Sequence, residues 1–205
     1  MTDPRAEAPG TAKWEPLSPQ QVAELLRGID VPWWIAGGWA LDLFGGRQTR
    51  AHEDIEISVF RGDEVKIRER LKGWEFFVAN DGTLTPLVGT APFPSHAHEL
   101  WCRERGRETW QLEILIEERE GGRWFYRRNA RIGVNAKDVG RFTSDGIPYI
   151  RPDIQLLYKS KGGRAIDESD LLSILPRLDV AQRATLSAWI SAGDPTHRWI
   201  ERLKG

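Results

Sequence analysis

The chain has 205 residues, 40% of them hydrophobic and 29% charged, and its 29 Lys and Arg against 30 Asp and Glu leave a net charge of -1. That length suits one compact domain or a domain with a small appendage, and ten Trp with this apolar fraction exclude a disordered chain. The balanced charge argues against a general nucleic-acid binder, which needs a basic excess, and a single cysteine, Cys102, excludes an intrachain disulfide framework and a cysteine-based zinc cluster.

Met1 to Pro16 carries charges and three prolines but no apolar core of a signal peptide, and no later run approaches the ~20 apolar residues of a membrane span. The expectation is a cytoplasmic protein that engages no membrane. Residues 1–16 read as a flexible lead-in, with Trp14 placed to dock back on the body. Ser18-Pro19-Gln20-Gln21 supplies a capping Ser, a Pro at the first helical position and a Gln at the third. Val22, Leu25, Leu26 and Ile29 follow at helical spacing.

Pro32 ends that helix, Val31 to Ile35 forms a short strand, and Gly37-Gly38 turns into a second helix over Trp39 to Phe44, closed by Gly45-Gly46. Asp54 to Val59 alternates as a half-buried strand does, with Asp54, Glu56 and Ser58 on one face and Ile55, Ile57 and Val59 on the other. Asp63 to Leu71 reads as a helix, Glu75 to Ala79 as a strand before an Asn80-Asp81-Gly82 turn, and Pro86 to Pro94 as a loop.

Ala97 to Arg103 and Thr109 to Glu118 form the arms of a hairpin around Arg105-Gly106-Arg107, with Arg123 to Arg127 a third antiparallel strand. From Asp153 onward the period is helical. The reading is an α+β fold with a mixed or mainly antiparallel sheet flanked by helices, spanning residues 17–150, followed by a small C-terminal helical region over 151–205. A cleft between the two is the default ligand site.

Two carboxylates two residues apart on a strand share a face at about 6.6 to 7 Å, so Asp54 and Glu56 can converge on one hard cation, and Mg²⁺ suits oxygen ligands with substrate phosphates. Gly37 and Gly38 supply the other half. Glycine lets backbone N–H groups approach a phosphate at a helix N-terminus, which places triphosphate between turn and carboxylates. Each feature alone is weak; their strand-turn-helix-strand order is specific.

In these residues the chain resembles the nucleotidyltransferases of the DNA polymerase β superfamily, particularly the small aminoglycoside and lincosamide nucleotidyltransferases. The matching stretches are Trp33 to Asp42, Gly46 to Ile57, and Arg151-Pro152-Asp153-Ile154-Gln155-Leu156-Leu157-Tyr158-Lys159-Ser160-Lys161. The resemblance implies a polymerase-β-like fold in which Asp54 and Glu56 bind two Mg²⁺ ions and a third carboxylate comes from a later strand. Glu113 is the candidate, because it interrupts the apolar run Leu112 to Ile116 and is costly to bury unless paired or metal-bound; Glu99 and Glu117 are the alternatives. Glu56 departs from the commoner Asp, keeping the charge but shifting it by about one bond length, in sites held within ~0.5 Å.

Arg50 is read as a phosphate contact or as a residue that orders the loop before the metal strand, and the resemblance assigns Lys159 to the triphosphate. His52 is read as structural, since Mg²⁺ prefers oxygen. His96 and His98 are loop residues near an acceptor pocket, with no further ligand to build a zinc site. The implied reaction moves AMP from ATP to a hydroxyl of a small molecule such as an aminoglycoside or lincosamide, releasing pyrophosphate, with Glu113 as base. Asp81, Glu99, Glu104 and Glu117 are acidic groups suited to a cationic acceptor. The rivals are a natural-product, tRNA or protein acceptor, or a nucleotide-binding protein without turnover.

Overall fold

A computed structural model describes residues 13–204; most of the expected lead-in lies outside the described residues. Trp14 does dock: it forms a parallel bridge with Trp110 and meets Trp101 edge-on at 5.1 Å. The predicted capping box starts α1 (Pro19–Leu25), with Ser18 Oγ accepting from the Gln21 N–H at 3.2 Å and Gln21 Oε1 accepting from the Ser18 N–H at 2.7 Å.

There follow β1 (Trp33–Ile35), α2 (Gly37–Gly45), β2 (Glu56–Phe60), α3 (Glu64–Arg70), β3 (Trp74–Asn80), β4 (Thr83–Pro86), β5 (Glu99–Glu104) and β6 (Leu112–Glu120). Then come β7 (Arg123–Tyr126), β8 (Asn129–Asn135), β9 (Gly140–Phe142), β10 (Pro148–Ile150), α4 (Pro152–Lys159), α5 (Ala165–Ile174), α6 (Val180–Ser191) and α7 (Trp199–Leu203). The sheet runs in the order β4-β3-β5-β6-β2-β1-β10-β9, with β7 and β8 extending from the far end of β6. It is mixed: β2 runs parallel to β6 and β1 to β10, while the other pairs are antiparallel.

The sequence reading missed β4 and β8 to β10, each too short or too mixed to show alternation. β4 ends in Pro86 on the sheet edge, where a missing donor is tolerated. The strand expected from Asp54 begins two residues later, at Glu56. A continuous core joins Ile57, Val59, Ile114 and Ile116 of the sheet to Ile154, Leu157, Leu171 and Leu186 of the C-terminal helices, so the helical region packs on the sheet and leaves a cavity between them. Among the described residues no helix is long and apolar enough to cross a membrane.

Candidate active site

Glu56, at the start of β2, stands directly opposite Glu113 on parallel β6, and Trp101 of antiparallel β5 stands opposite Glu113 on its other side. The period of two sends Ile57, Val59, Ile114 and Ile116 into the core. It leaves Glu56, Ser58, Glu113 and Glu117 on a cavity of about 380 Å³ whose facing wall comes from α4 and the segment leading into α5. Glu99, at the head of β5, lines the same cavity.

These carboxylates disturb one another. Part of Glu56 reaches the cavity surface, yet the protein packed around it, and then the charge of Asp54, push its pKa up to about 7; Lys159 and Arg164 pull the other way. Burial raises Glu113 well above the usual carboxylate range, with Glu56, Glu99 and Asp54 adding to it and the Trp101 indole, donating at 3.3 Å, opposing it. Buried like charges of this kind are relieved by a divalent cation, and an all-oxygen donor set suits a hard one. Among the described residues no three His, Cys, Asp or Glu side chains gather as a ready-made metal cluster, so the fit rests on the Glu56 and Glu113 pair. Asp54 precedes the strand and acts on both through its field.

The Gly-Gly turn is needed for packing. A Cβ on Gly37, where φ is +63°, would fall on the Glu56 carboxylate, and one on Gly38 would strike Arg50 and His52. Glu56 thus packs directly on Gly37, and the Gly37 N–H donates to Gln155 Oε1 of α4 at 2.8 Å. The space expected for triphosphate between turn and carboxylates is filled in this form by these two side chains.

Asp42 of α2 shapes the loop before β2, accepting from Thr49 N at 3.1 Å and Thr49 Oγ1 at 2.5 Å and pairing with His52 Nε2 at 2.6 Å. His52 also stacks on Trp39 at 4.4 Å, which makes it a packing residue. Arg50 reaches Asp170 of α5 through Nε–Oδ1 at 2.9 Å and Nη2–Oδ2 at 3.2 Å. Asp170 also takes Lys159 Nζ at 2.8 Å, Lys159 reaches Asp167 at 3.3 Å, and Asp167 takes Arg164 Nε at 2.9 Å. Burial pushes Asp170 up, but hydrogen bonds from Arg50 and Lys159 outweigh it and hold its pKa below the usual range. Arg50 and Lys159 therefore sit in one alternating chain of charges, with only Lys159 of the two on the cavity wall.

Of the remaining acids, Glu117 accepts from Trp124 Nε1 and Tyr158 OH, each at 2.7 Å, and from Ser58 Oγ at 3.2 Å, which leaves it as a joint between sheet and α4. Asp81 stands in the β3–β4 turn and Glu104 pairs with Arg107, so neither lines the cavity. His98 does, while His96 is exposed outside it. Sequence reasoning missed Gln155, Arg164, Arg127 and Arg128 on the cavity wall and Asp167 and Asp170 behind Lys159. Gln155 had a signal: it lies one helical turn before Lys159, on the same face of α4.

The profile of the aminoglycoside-2''-adenylyltransferases matches residues 20–92. A lincosamide resistance protein of Staphylococcus haemolyticus is 25% identical over 155 residues, covering 75% of this chain and 88% of that protein. Among solved structures, the lincomycin-bound lincosamide antibiotic adenylyltransferase LnuA superposes with a TM-score of 0.52 at 20% identity, covering 76% of this chain and 92% of its own. ANT(2'')-Ia in complex with adenylyl-2''-tobramycin superposes with a TM-score of 0.52 at 14% identity, covering 85% and 95%. At such identities the likeness of the structures shows the fold, which is that of the polymerase-β-like nucleotidyltransferases.

Proposed function

We propose, from the premise that this chain is a nucleotidyltransferase of the polymerase β superfamily resembling the small antibiotic adenylyltransferases, that it transfers AMP from ATP to a hydroxyl of a small antibiotic of the aminoglycoside or lincosamide kind. The observation that carries the reading is the direct opposition of Glu56 and Glu113 on adjacent parallel strands, beside a glycine turn and facing Lys159 of α4 and Arg164 just before α5 across one cavity.

In this reading Glu56 and Glu113, with Asp54 beside them, would hold magnesium, which would supply neutralisation of phosphate charge and stabilisation of the entering and leaving oxygens. Arg164, and Lys159 from within its ion pairs, face the phosphate end of the cavity, where their charge already acts on Glu56. The turn at Gly37 and Gly38 opens α2, whose N-terminus favours a phosphate oxygen once Gln155 releases the Gly37 N–H. Glu113, alone or while ligating a metal, takes the proton from the acceptor hydroxyl. The hydroxyl oxygen bonds to the α-phosphorus as the bond from that phosphorus to the bridging oxygen breaks, and pyrophosphate leaves with the electron pair.

The test incubates the protein with each of ATP, GTP, CTP and UTP, Mg²⁺ and a panel of aminoglycosides and lincosamides, and reads adducts by mass spectrometry. A mass gain of one AMP on an acceptor supports the reading. Absence of a nucleotidyl adduct on every acceptor defeats it and moves attention to the natural-product, tRNA or protein acceptors.

A further inference from the structure

The charges around the cavity are not evenly mixed, and their arrangement bears on which acceptor fits. At the Gly37 end, Lys159 and Arg164 act on Glu56 and are themselves bound to Asp167. At the opposite end, Arg127 acts on His98 and Glu117. Arg127 and Arg128 follow β7 directly, and both line the cavity.

These two arginines are seated. The Arg127 guanidinium lies 6.0 Å from the ring centre of Tyr158 and that of Arg128 lies 5.7 Å from it. Arg128 also lies 5.9 Å from the Tyr126 ring centre and donates to the Tyr126 hydroxyl at 3.2 Å. Neither arginine has a carboxylate within ion-pair distance among the described residues. The nearby Glu117 has its oxygens taken by Ser58, Trp124 and Tyr158. Once Glu56 and Glu113 are committed to the reaction, Glu99 is the acidic side chain left on the wall for an acceptor amine, against two guanidiniums held in no ion pair, of which Arg127 faces only the already hydrogen-bonded Glu117.

Resting on the transferase reading above, we infer that Arg127 and Arg128, held on the rings of Tyr158 and Tyr126, are specificity-determining residues that select a hydroxylated acceptor of low positive charge and reject polycations. A like charge brought into a partly desolvated cavity is repelled more strongly than in water, and repulsion of the wrong substrate is a recurrent source of specificity. This reverses the expectation, drawn from charge in the sequence alone, that acidic residues line the acceptor side for a cationic aminoglycoside.

The experiment compares lincomycin, with its single amine, and tobramycin, with several, in wild-type protein, in Arg127→Gln/Arg128→Gln and in Arg128→Glu alone, which alters only the exposed member. Transfer is read as kcat/KM for each acceptor at saturating ATP, and acceptor binding is read by calorimetry with a non-hydrolysable ATP analogue present. The expected wild-type preference for lincomycin is about tenfold or more. Both variants narrow it by about tenfold through a gain for tobramycin, with the KM for ATP changed by less than about twofold. Equal or better use or binding of tobramycin by the wild type overturns the inference, as does binding of neither compound, or variants that shift the KM for ATP and leave the preference alone. If no adduct forms with any acceptor or nucleotide, the transferase reading fails, while the calorimetry still decides the charge preference.

Discussion

The Trp101 indole N–H donates to Glu113 Oε1 at 3.3 Å across the β5–β6 pair, and the Trp101 ring meets Trp14 at 5.1 Å and Trp110 at 5.5 Å. The segment entering the fold before α1 thus braces the residue that orients the proposed base. Trp101→Phe keeps the ring and removes the donor. It is expected to lower kcat by roughly tenfold while leaving the KM for ATP near its wild-type value, since one hydrogen bond to a charged group is worth about 1.5–3 kcal/mol. An unchanged kcat shows that the contact is only packing.

Gln155 occupies the Gly37 N–H that the proposed mechanism gives to a phosphate. Gln155→Ala is expected to lower the KM for ATP several-fold by removing a competing acceptor, and Gln155→Glu to raise it by placing a negative charge there. Steady-state kinetics at fixed acceptor separates these. A raised KM in Gln155→Ala would mean that the amide binds the nucleotide itself.

Asp170 serves both Arg50 and Lys159 and is itself 4% exposed, so its loss leaves a nearly buried ammonium with one partner in place of two. Asp170→Asn is expected to destabilise the protein by roughly 2–4 kcal/mol, seen as a fall of several degrees in Tm. Lys159→Met is milder, because Asp167 keeps Arg164 and Asp170 keeps Arg50. Equal Tm values for Asp170→Asn and wild type remove the charge chain from the account of stability.

Glu56 has a folded-state pKa of about 7 against an ordinary value of 4.5, so the fold holds its proton more tightly than the unfolded chain does. Its contribution to stability is complete below the ordinary value and is lost as pH rises through about 7. Without divalent metal, Tm should fall by a few degrees between about pH 5 and 8, on the order of 1–2 kcal/mol after allowing for the part of the side chain open to the cavity. Glu56→Gln should reduce that slope to the part that Glu113, also raised, contributes, and Mg²⁺ with nucleotide should restore stability at the alkaline end. An unchanged slope in Glu56→Gln assigns the pH dependence to other groups.

Much of this arrangement was legible in the sequence because it is local. The Ser18 cap, the glycine turn, the alternation through Ile57 and Ser58, and the acidic break at Glu113 are each written within a few residues. The opposition of Glu56 to Glu113 depends on parallel pairing between segments more than fifty residues apart, and only the resemblance suggested a third carboxylate there. The partners of Lys159, the Gln155 contact with Gly37 and the seating of Arg127 and Arg128 on tyrosines were not legible, because periodicity says which face a side chain shares and not what stands opposite. Short strands such as β9 and β10, three residues each, are held by neighbours and carry no pattern of their own.

The measurement that bears most directly on the Glu56 and Glu113 pair as the reacting centre is single-turnover transfer by Glu113→Gln, with binding of the magnesium–nucleotide complex followed in parallel. The account predicts turnover reduced by about 10² or more, beyond any weakening of magnesium–nucleotide binding that loss of one of the two opposed carboxylates brings, as loss of a general base requires. Normal turnover by Glu113→Gln across about pH 6 to 9 would contradict it and pass the role to Glu99, the remaining cavity carboxylate on the neighbouring strand.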